Sequence, residues 1–188
     1  MKLREIDDEE LLRLYAAGDR EFSAIKLIYD DLSGANLSGI KSCGSDLGYG
    51  LLNNTDFSSS FLRGAYFHGE MDGADFSHAS LEGAFFESAF LIGANFSNGN
   101  LRGAYLPEAS LDNSLFIGAD LSGACLSQVT LNDADLSNAK FCGALLSESG
   151  IARANLSNAD FRGAQGFFPK TNCIFSNTIM PDGSIRNS

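Results

Sequence analysis

Ala74-Asp75-Phe76-Ser77-His78, Ala79-Ser80-Leu81-Glu82-Gly83 and, further on, Ala154-Asn155-Leu156-Ser157-Asn158, Ala159-Asp160-Phe161-Arg162-Gly163 are copies of one five-residue pattern. From Phe76 to Phe161 a Leu, Phe or Ile recurs at every fifth residue, usually with Ala two places before it. Fixed-period self-similarity marks a solenoid. A period of five fits neither the 3.6-residue helical turn nor a two-residue strand alternation, so each unit is a short extended piece followed by a corner. The Ala and the large residue point inward. The residue between them and the two that follow face out, and Gly or Asn at the second place after the large residue suits the positive-φ position of a type II turn.

A second period gives the number of sides. Gly83, Gly103, Gly123, Gly143 and Gly163, and likewise Phe76, Phe96 and Phe116, recur every twenty residues, so four units close one square coil. Stacked at roughly 4.8 Å, about seven such coils make a rod on the order of 34 Å long.

These residues resemble the pentapeptide-repeat family, whose consensus is Ala-(Asp/Asn)-Leu-x-x. The resemblance implies an all-β fold, a right-handed quadrilateral β-helix, here with one short N-terminal capping helix. It implies nothing specific about activity, because the consensus residues are the structural ones.

The 188 residues read as a single domain. Residues 6–18 form an amphipathic helix in this reading. Asp7 is its N-cap, Glu10 completes a capping-box pattern, Ile6 staples onto Leu11, and Gly18 ends it. Its stripe of Leu11, Leu14 and Tyr15 is expected to cover the open first coil. The solenoid is assigned to 20–166. Between Ser38 and Asn54 the pattern weakens: Ser42 occupies an inward slot, and Gly44, Gly48 and Gly50 add freedom, which predicts a distorted coil. Phe67 and Met71 are four residues apart, so one corner near 67–71 has lost a residue. The long period survives, since Phe57 to Phe76 and Gly64 to Gly83 are each nineteen apart. Through Gln165-Gly166-Phe167-Phe168-Pro169 the register blurs, and 167–188 is read as a C-terminal cap with a Pro181-Asp182-Gly183 turn. Leu11 to Gly18 and Thr178 to Gly183 resemble the flanks of a subgroup abundant in cyanobacteria, for most of which no biochemical activity is established.

Formal net charge is −11, and between Met71 and Phe161 acids outnumber bases by eleven to three. Such a surface repels nucleic acid and anionic membranes and attracts basic partners. No apolar run reaches the ~20 residues of a membrane span, and the N-terminus has no apolar signal core, so a cytoplasmic location is expected. Cys43, Cys125, Cys142 and Cys173 have neither CxxC nor disulfide-framework spacing and read as free thiols.

Catalytic chemistry finds no constellation. His68 and His78 fall at outward places. Ser77, Ser97, Ser137 and Ser157 lie at corners and in no Gly-x-Ser-x-Gly elbow. Asp56, Asp75, Asp135 and Asp160 are dispersed in a consensus outward slot without cation-loop spacing. No enzyme, cofactor, metal or small-molecule substrate is expected.

One outward feature departs from the pattern. In the slot before the large residue, a single side carries Tyr66, Phe85, Tyr105, Cys125 and Leu145, where Asp or Asn is usual, with Phe90 and Ile92 around the neighbouring corner. Exposed apolar strips mark contact surfaces, while stacking across coils would only stiffen the rod. The first reading is a non-catalytic scaffold that binds an unknown protein partner, or its own copy, through this stripe. The alternative comes from the resemblance: an acidic DNA mimic that binds a type II topoisomerase or another DNA-binding protein. Against it, Asp72, Glu87, Asp112, Asp120, Asp135 and Glu148 spread over four sides, and Arg63, Arg102, Lys140 and Arg162 interrupt one.

Overall fold

A computed structural model describes residues 3–28, 31–48, 50–167, 169 and 171–188. Its organising feature is a set of four parallel ladders of single-residue bridges. The first side runs Glu21, Lys41, Phe61, Ser80, Asn100, Asp120, Lys140, Asp160, Ile179. The second runs Lys26, Asp46, Tyr66, Phe85, Tyr105, Cys125, Leu145, Gln165. The third runs from Asp31 through Leu51, Glu70 and Phe90 to Gly150, and the fourth from Asn36 through Asp56 and Asp75 to Ile174. Rungs bond in both directions along the sides, as where Leu81 N–H donates to Asn100 O at 2.8 Å and Asn100 N–H to Ala79 O at 2.9 Å. The chain turns between rungs through bonds such as Ala79 N–H to Phe76 O (3.1 Å), with His78 between them at φ +58°. That is the positive-φ second central residue of a type II turn.

The inward residues fill the rod completely. Leu81, Phe86, Leu91, Phe96 and Leu101 and the alanines between them are inaccessible to solvent. On the fourth side Phe57, Phe76, Phe96 and Phe116 stack at 4.9–5.2 Å, and on the second Phe67 stacks on Phe86 at 4.8 Å; the two columns meet edge to face. Both geometries suit the aromatic quadrupole.

The distortion expected over 38–54 is not found at Ser42. Lys41, Asp46 and Leu51 keep their rungs, so the backbone holds its path through the weak stretch. The polar slot is satisfied locally. Ser42 Oγ lies 3.0 Å from both Phe22 O and Ser45 Oγ, and Ser45 Oγ lies 3.0 Å from Phe22 O and accepts Ile25 N–H at 3.1 Å. Two buried hydroxyls thus replace a large–small apolar pair at no loss of hydrogen bonding. Tyr49, between Gly48 and Gly50, lies outside the described residues. Ser45→Ala strands the Ile25 N–H and is expected to cost about 1–3 kcal/mol in denaturant unfolding. Adding Ser42→Leu to it restores the apolar pair of neighbouring coils and is expected to recover the parent stability.

One corner of the rod is a residue short. Tyr66 and Glu70 are successive rungs only four residues apart, with Gly69 at φ +105°, and the bridges Asp56–Asp75 and Tyr66–Phe85 span nineteen residues before the twenty-residue step returns at Glu70–Phe90.

Both ends are covered. β1 (Arg4–Ile6), absent from the sequence reading, pairs parallel with β2 (Ile25–Leu27) beneath the second side. Helix α1 (Asp8–Ala16) follows, with Asp7 Oδ1 accepting Glu10 N–H at 2.8 Å. The Glu10 carboxylate bonds Arg4 instead of closing the box. The helix stops in a Schellman arrangement, Gly18 N–H to Tyr15 O and Asp19 N–H to Leu14 O. Leu11 is fully buried, Leu14 and Tyr15 pack on the core, and Tyr15 OH donates to Ser38 O at 2.7 Å. At the other end the ladders run past the boundary drawn at 166: Ile174 and Ile179 are rungs on Asn155 and Asp160, and Thr178, in an alanine slot, donates to Leu156 O at 2.7 Å. β3 (Thr178–Ile179) then pairs antiparallel with β4 (Ile185–Arg186) across the Pro-Asp-Gly turn. Phe168 lies outside the described residues.

Candidate protein-interaction face

Five of the seven residues singled out from sequence come together. Tyr66, Phe85, Tyr105, Cys125 and Leu145 are consecutive rungs of the second side. The Tyr66 and Phe85 rings are parallel with centroids 4.5 Å apart, and Phe85 and Tyr105 are tilted at 6.1 Å. Stacking half-buries Phe85 yet leaves Tyr66 41%, Tyr105 39% and Leu145 39% exposed, so the row is accessible along its length. Cys125 is half-buried.

Phe90 and Ile92 are placed differently. Phe90 is a rung of the third side, beyond a corner formed by Glu87 and Ser88, and Ile92 lies at the following corner, between the third and fourth sides. Both are exposed. Phe90 is on the side next to the stripe and Ile92 one corner further from it, so neither extends the row. Four further outward apolar residues in this slot were missed by reading one side only. Phe61, 51% exposed, is in the same coil as Tyr66 across the Arg63-Gly64 corner, exposed Leu51 is on the third side, and exposed Leu115 and Ile174 are on the fourth. The same slot rule, the residue just before the large one, finds all four when applied to every side.

Eight repeat copies match the family model for pentapeptide repeats, over residues 70–106, 100–133 and 131–165. The chain belongs to the pentapeptide repeat family. The family's fold is the right-handed quadrilateral β-helix, and its members are structural and interaction scaffolds rather than a class of enzyme. HetL, a pentapeptide repeat protein involved in heterocyst differentiation regulation from the cyanobacterium Nostoc sp. strain PCC 7120, is similar at 28% identity over 96% of this chain and 100% of its own, with a TM-score of 0.32. A pentapeptide repeat protein from the Arabidopsis thaliana thylakoid lumen shares 31% identity over 60% of this chain and 65% of its own, with a TM-score of 0.40. Full-length QnrB1, a plasmid-mediated fluoroquinolone resistance protein, shares 19% identity over 90% and 89%, with a TM-score of 0.38. No curated protein matches the chain.

In this pentapeptide repeat chain most outward acids have structural work. Asp56, Asp75 and Asp135 each accept the N–H two residues on, from Ser58, Ser77 and Ser137, at 2.8–2.9 Å. Asp72 and Asp112 reach across coils to the N–H groups of Ile92 and Asn132 at 2.8 Å. Asp160 accepts from Arg162, which with the Arg162 N–H holds its carboxyl below the usual range against a smaller opposing effect of burial. Arg153 does the same for Asp133. Beside Asp160, burial first and the carboxylate second push the Cys142 thiol up, away from reactivity. Among the described residues no three His, Cys, Asp or Glu side chains group as a metal site, and no helix is long and apolar enough to cross a membrane.

Proposed function

We propose that this protein is a non-catalytic scaffold, a rod of about seven coils that docks a partner protein on the Tyr66-Phe85-Tyr105-Cys125-Leu145 row. One observation carries the reading: an exposed, stacked apolar row occupies a slot that holds Asp, Asn, Ser or Lys on much of the other sides. Core packing does not need these residues, since the inward Leu, Phe and Ala already exclude water. An exposed row of this length fits a contact surface.

The acidity supports a DNA mimic less well. Duplex DNA presents continuous rows of phosphate charge. Here the acids are divided among four sides and many are occupied as backbone acceptors, while Arg102 and Arg162 pair with Asp120 and Asp160 on the first side.

A quantitative pull-down from a lysate of the source organism, comparing the parent with Phe85→Asp, Tyr105→Asp, tests the reading. Both side chains are outward, so the variant is expected to keep its circular dichroism spectrum and lose a partner that the parent retains near stoichiometry. A folded variant that keeps its partner and assembly state sinks the docking face. Retention of a topoisomerase by both forms would favour the mimic.

A further inference from the structure

The two edges that bound the second side differ in their corner residues. On the edge shared with the first side, the corner residue is glycine in seven successive coils: Gly44, Gly64, Gly83, Gly103, Gly123, Gly143 and Gly163. A Cβ built on Gly64, Gly83, Gly103, Gly123 or Gly143 meets nothing within 4 Å. Nor does positive φ alone demand glycine. Asn98, Asn138 and Asn158 hold φ of 58–61° at equivalent corners of another edge, and Glu108 and Glu148 hold 61° on the edge shared with the third side. Each glycine of this edge from Gly64 to Gly163 follows a corner residue that does carry a side chain, Arg63, Glu82, Arg102, Ser122, Cys142 or Arg162, and the glycine itself leaves room beside the apolar row for a backbone to approach.

The opposite edge is acidic and unneutralised. It carries Glu87, Glu108 and Glu148, all exposed, level with Phe85, Tyr105 and Leu145. None of the three is in an ion pair among the described residues; Glu108 and Glu148 receive only hydrogen bonds from Ser88 and Gln128.

The rungs themselves cannot accept a strand. Tyr66 N–H is taken by Ser45 O, Phe85 N–H by Ala65 O and Tyr105 N–H by Ala84 O, while Phe67 N–H and Phe86 N–H are taken by Phe85 O and Tyr105 O above. Binding to this side is therefore side chain against side chain. A helix laid along the rod rises about 5.4 Å per turn against about 4.8 Å per rung. Successive turns then meet successive rungs from Tyr66 to Leu145, with a drift of only about 2 Å over the row.

Resting on the docking reading above, we propose that the element bound by the second side is an amphipathic α-helix of a partner protein. It lies along the rod axis, its apolar stripe on Tyr66, Phe85, Tyr105 and Leu145. Its backbone passes over the glycine edge, and a row of Lys or Arg faces Glu87, Glu108 and Glu148.

The test uses the full chain and a fluorescein-labelled helical peptide of about eighteen residues, with Leu at helical spacing and Lys along one flank. A counterpart carries Glu on that flank. Fluorescence anisotropy is expected to show saturable, salt-sensitive binding of the Lys peptide and at least about tenfold weaker binding of the Glu peptide. Glu87→Gln, Glu108→Gln, Glu148→Gln is expected to weaken the Lys peptide about tenfold. Gly83→Asn, Gly103→Asn is expected to weaken it by a similar factor with thermal unfolding little changed, because asparagine already holds this conformation at Asn98 and Asn138. Equal binding of both peptides, binding of neither, or indifference to the glycine and glutamate variants overturns the helix. If Phe85→Asp, Tyr105→Asp still releases a lysate partner in that case, the docking face survives without it. Sedimentation velocity adds one more outcome: a dimer abolished by Phe85→Asp, Tyr105→Asp assigns the face to a second copy and overturns the helical partner.

Discussion

Phe96→Ala is expected to destabilise the rod by about 3–5 kcal/mol. Phe96 is inaccessible to solvent and stacks on Phe76 at 5.1 Å and on Phe116 at 4.9 Å, with Phe86 edge-on at 5.9 Å. Removing the ring loses its transfer free energy and leaves a cavity lined by three other rings, Phe76, Phe116 and Phe86. These cannot collapse inward, because each is fixed by the next coil. The solenoid adds a second consequence. Each coil touches only its neighbours, so stability is close to a sum of coil and interface contributions. A defect in the middle weakens the coupling between two halves. Chemical denaturation followed by circular dichroism is expected to show a lower midpoint and a broader transition. A Phe96→Ala protein with an unshifted midpoint would mean that the aromatic column does not hold the rod together.

Leu11→Asp is expected to release the N-terminal cap and change the assembly state. Leu11 is the fully buried residue of α1, and its burial with that of Ile6 stabilises the docked helix by about 1.5–3 kcal/mol per side chain. A carboxylate there has no partner, so the helix undocks rather than bury the charge. Undocking uncovers Phe22, Ile25 and Leu32 and takes with it β1, which is joined to the helix through Asp7 and occupies the lower edge of Ile25–Leu27. An exposed edge above apolar residues is a template for pairing between molecules. Size-exclusion chromatography with light scattering is expected to show concentration-dependent association, with loss of the helical signal. A monomeric, fully helical Leu11→Asp protein would show that the first coil needs no cover.

Much of this was legible because the repeat is local. An inward pair, an outward residue and a two-residue corner are set by neighbours in sequence, so the side of Tyr66, Phe85 and Tyr105 can be counted out by hand. The missing residue between Phe67 and Met71 could be located the same way. What resisted reading depended on contacts distant in sequence. Ser42 looks costly in a core slot until Ser45 and the Phe22 carbonyl of the coil beneath come within 3.0 Å. Arg4-Glu5-Ile6 is too short to announce a strand, and it becomes one only because Ile25–Leu27 offers a free edge. Ile174-Phe175 and Thr178-Ile179 were obscured by the bulky segment before them, yet the Asn155 and Asp160 rungs draw them into the ladders.

By itself the sequence determined that the chain is a four-sided stack and which residues face in. Those assignments follow from a five-residue period in which burial of the Ala and of the large residue admits one alternation. Only the tertiary structure decided what the outward residues do together. Neighbours on a face are nineteen or twenty residues apart, and whether they stack, as Tyr66 does on Phe85, or are divided by a corner, as Phe85 is from Phe90, depends on the register between coils. That register is set by the packing of the core, which each five-residue unit acquires only when another coil lies against it.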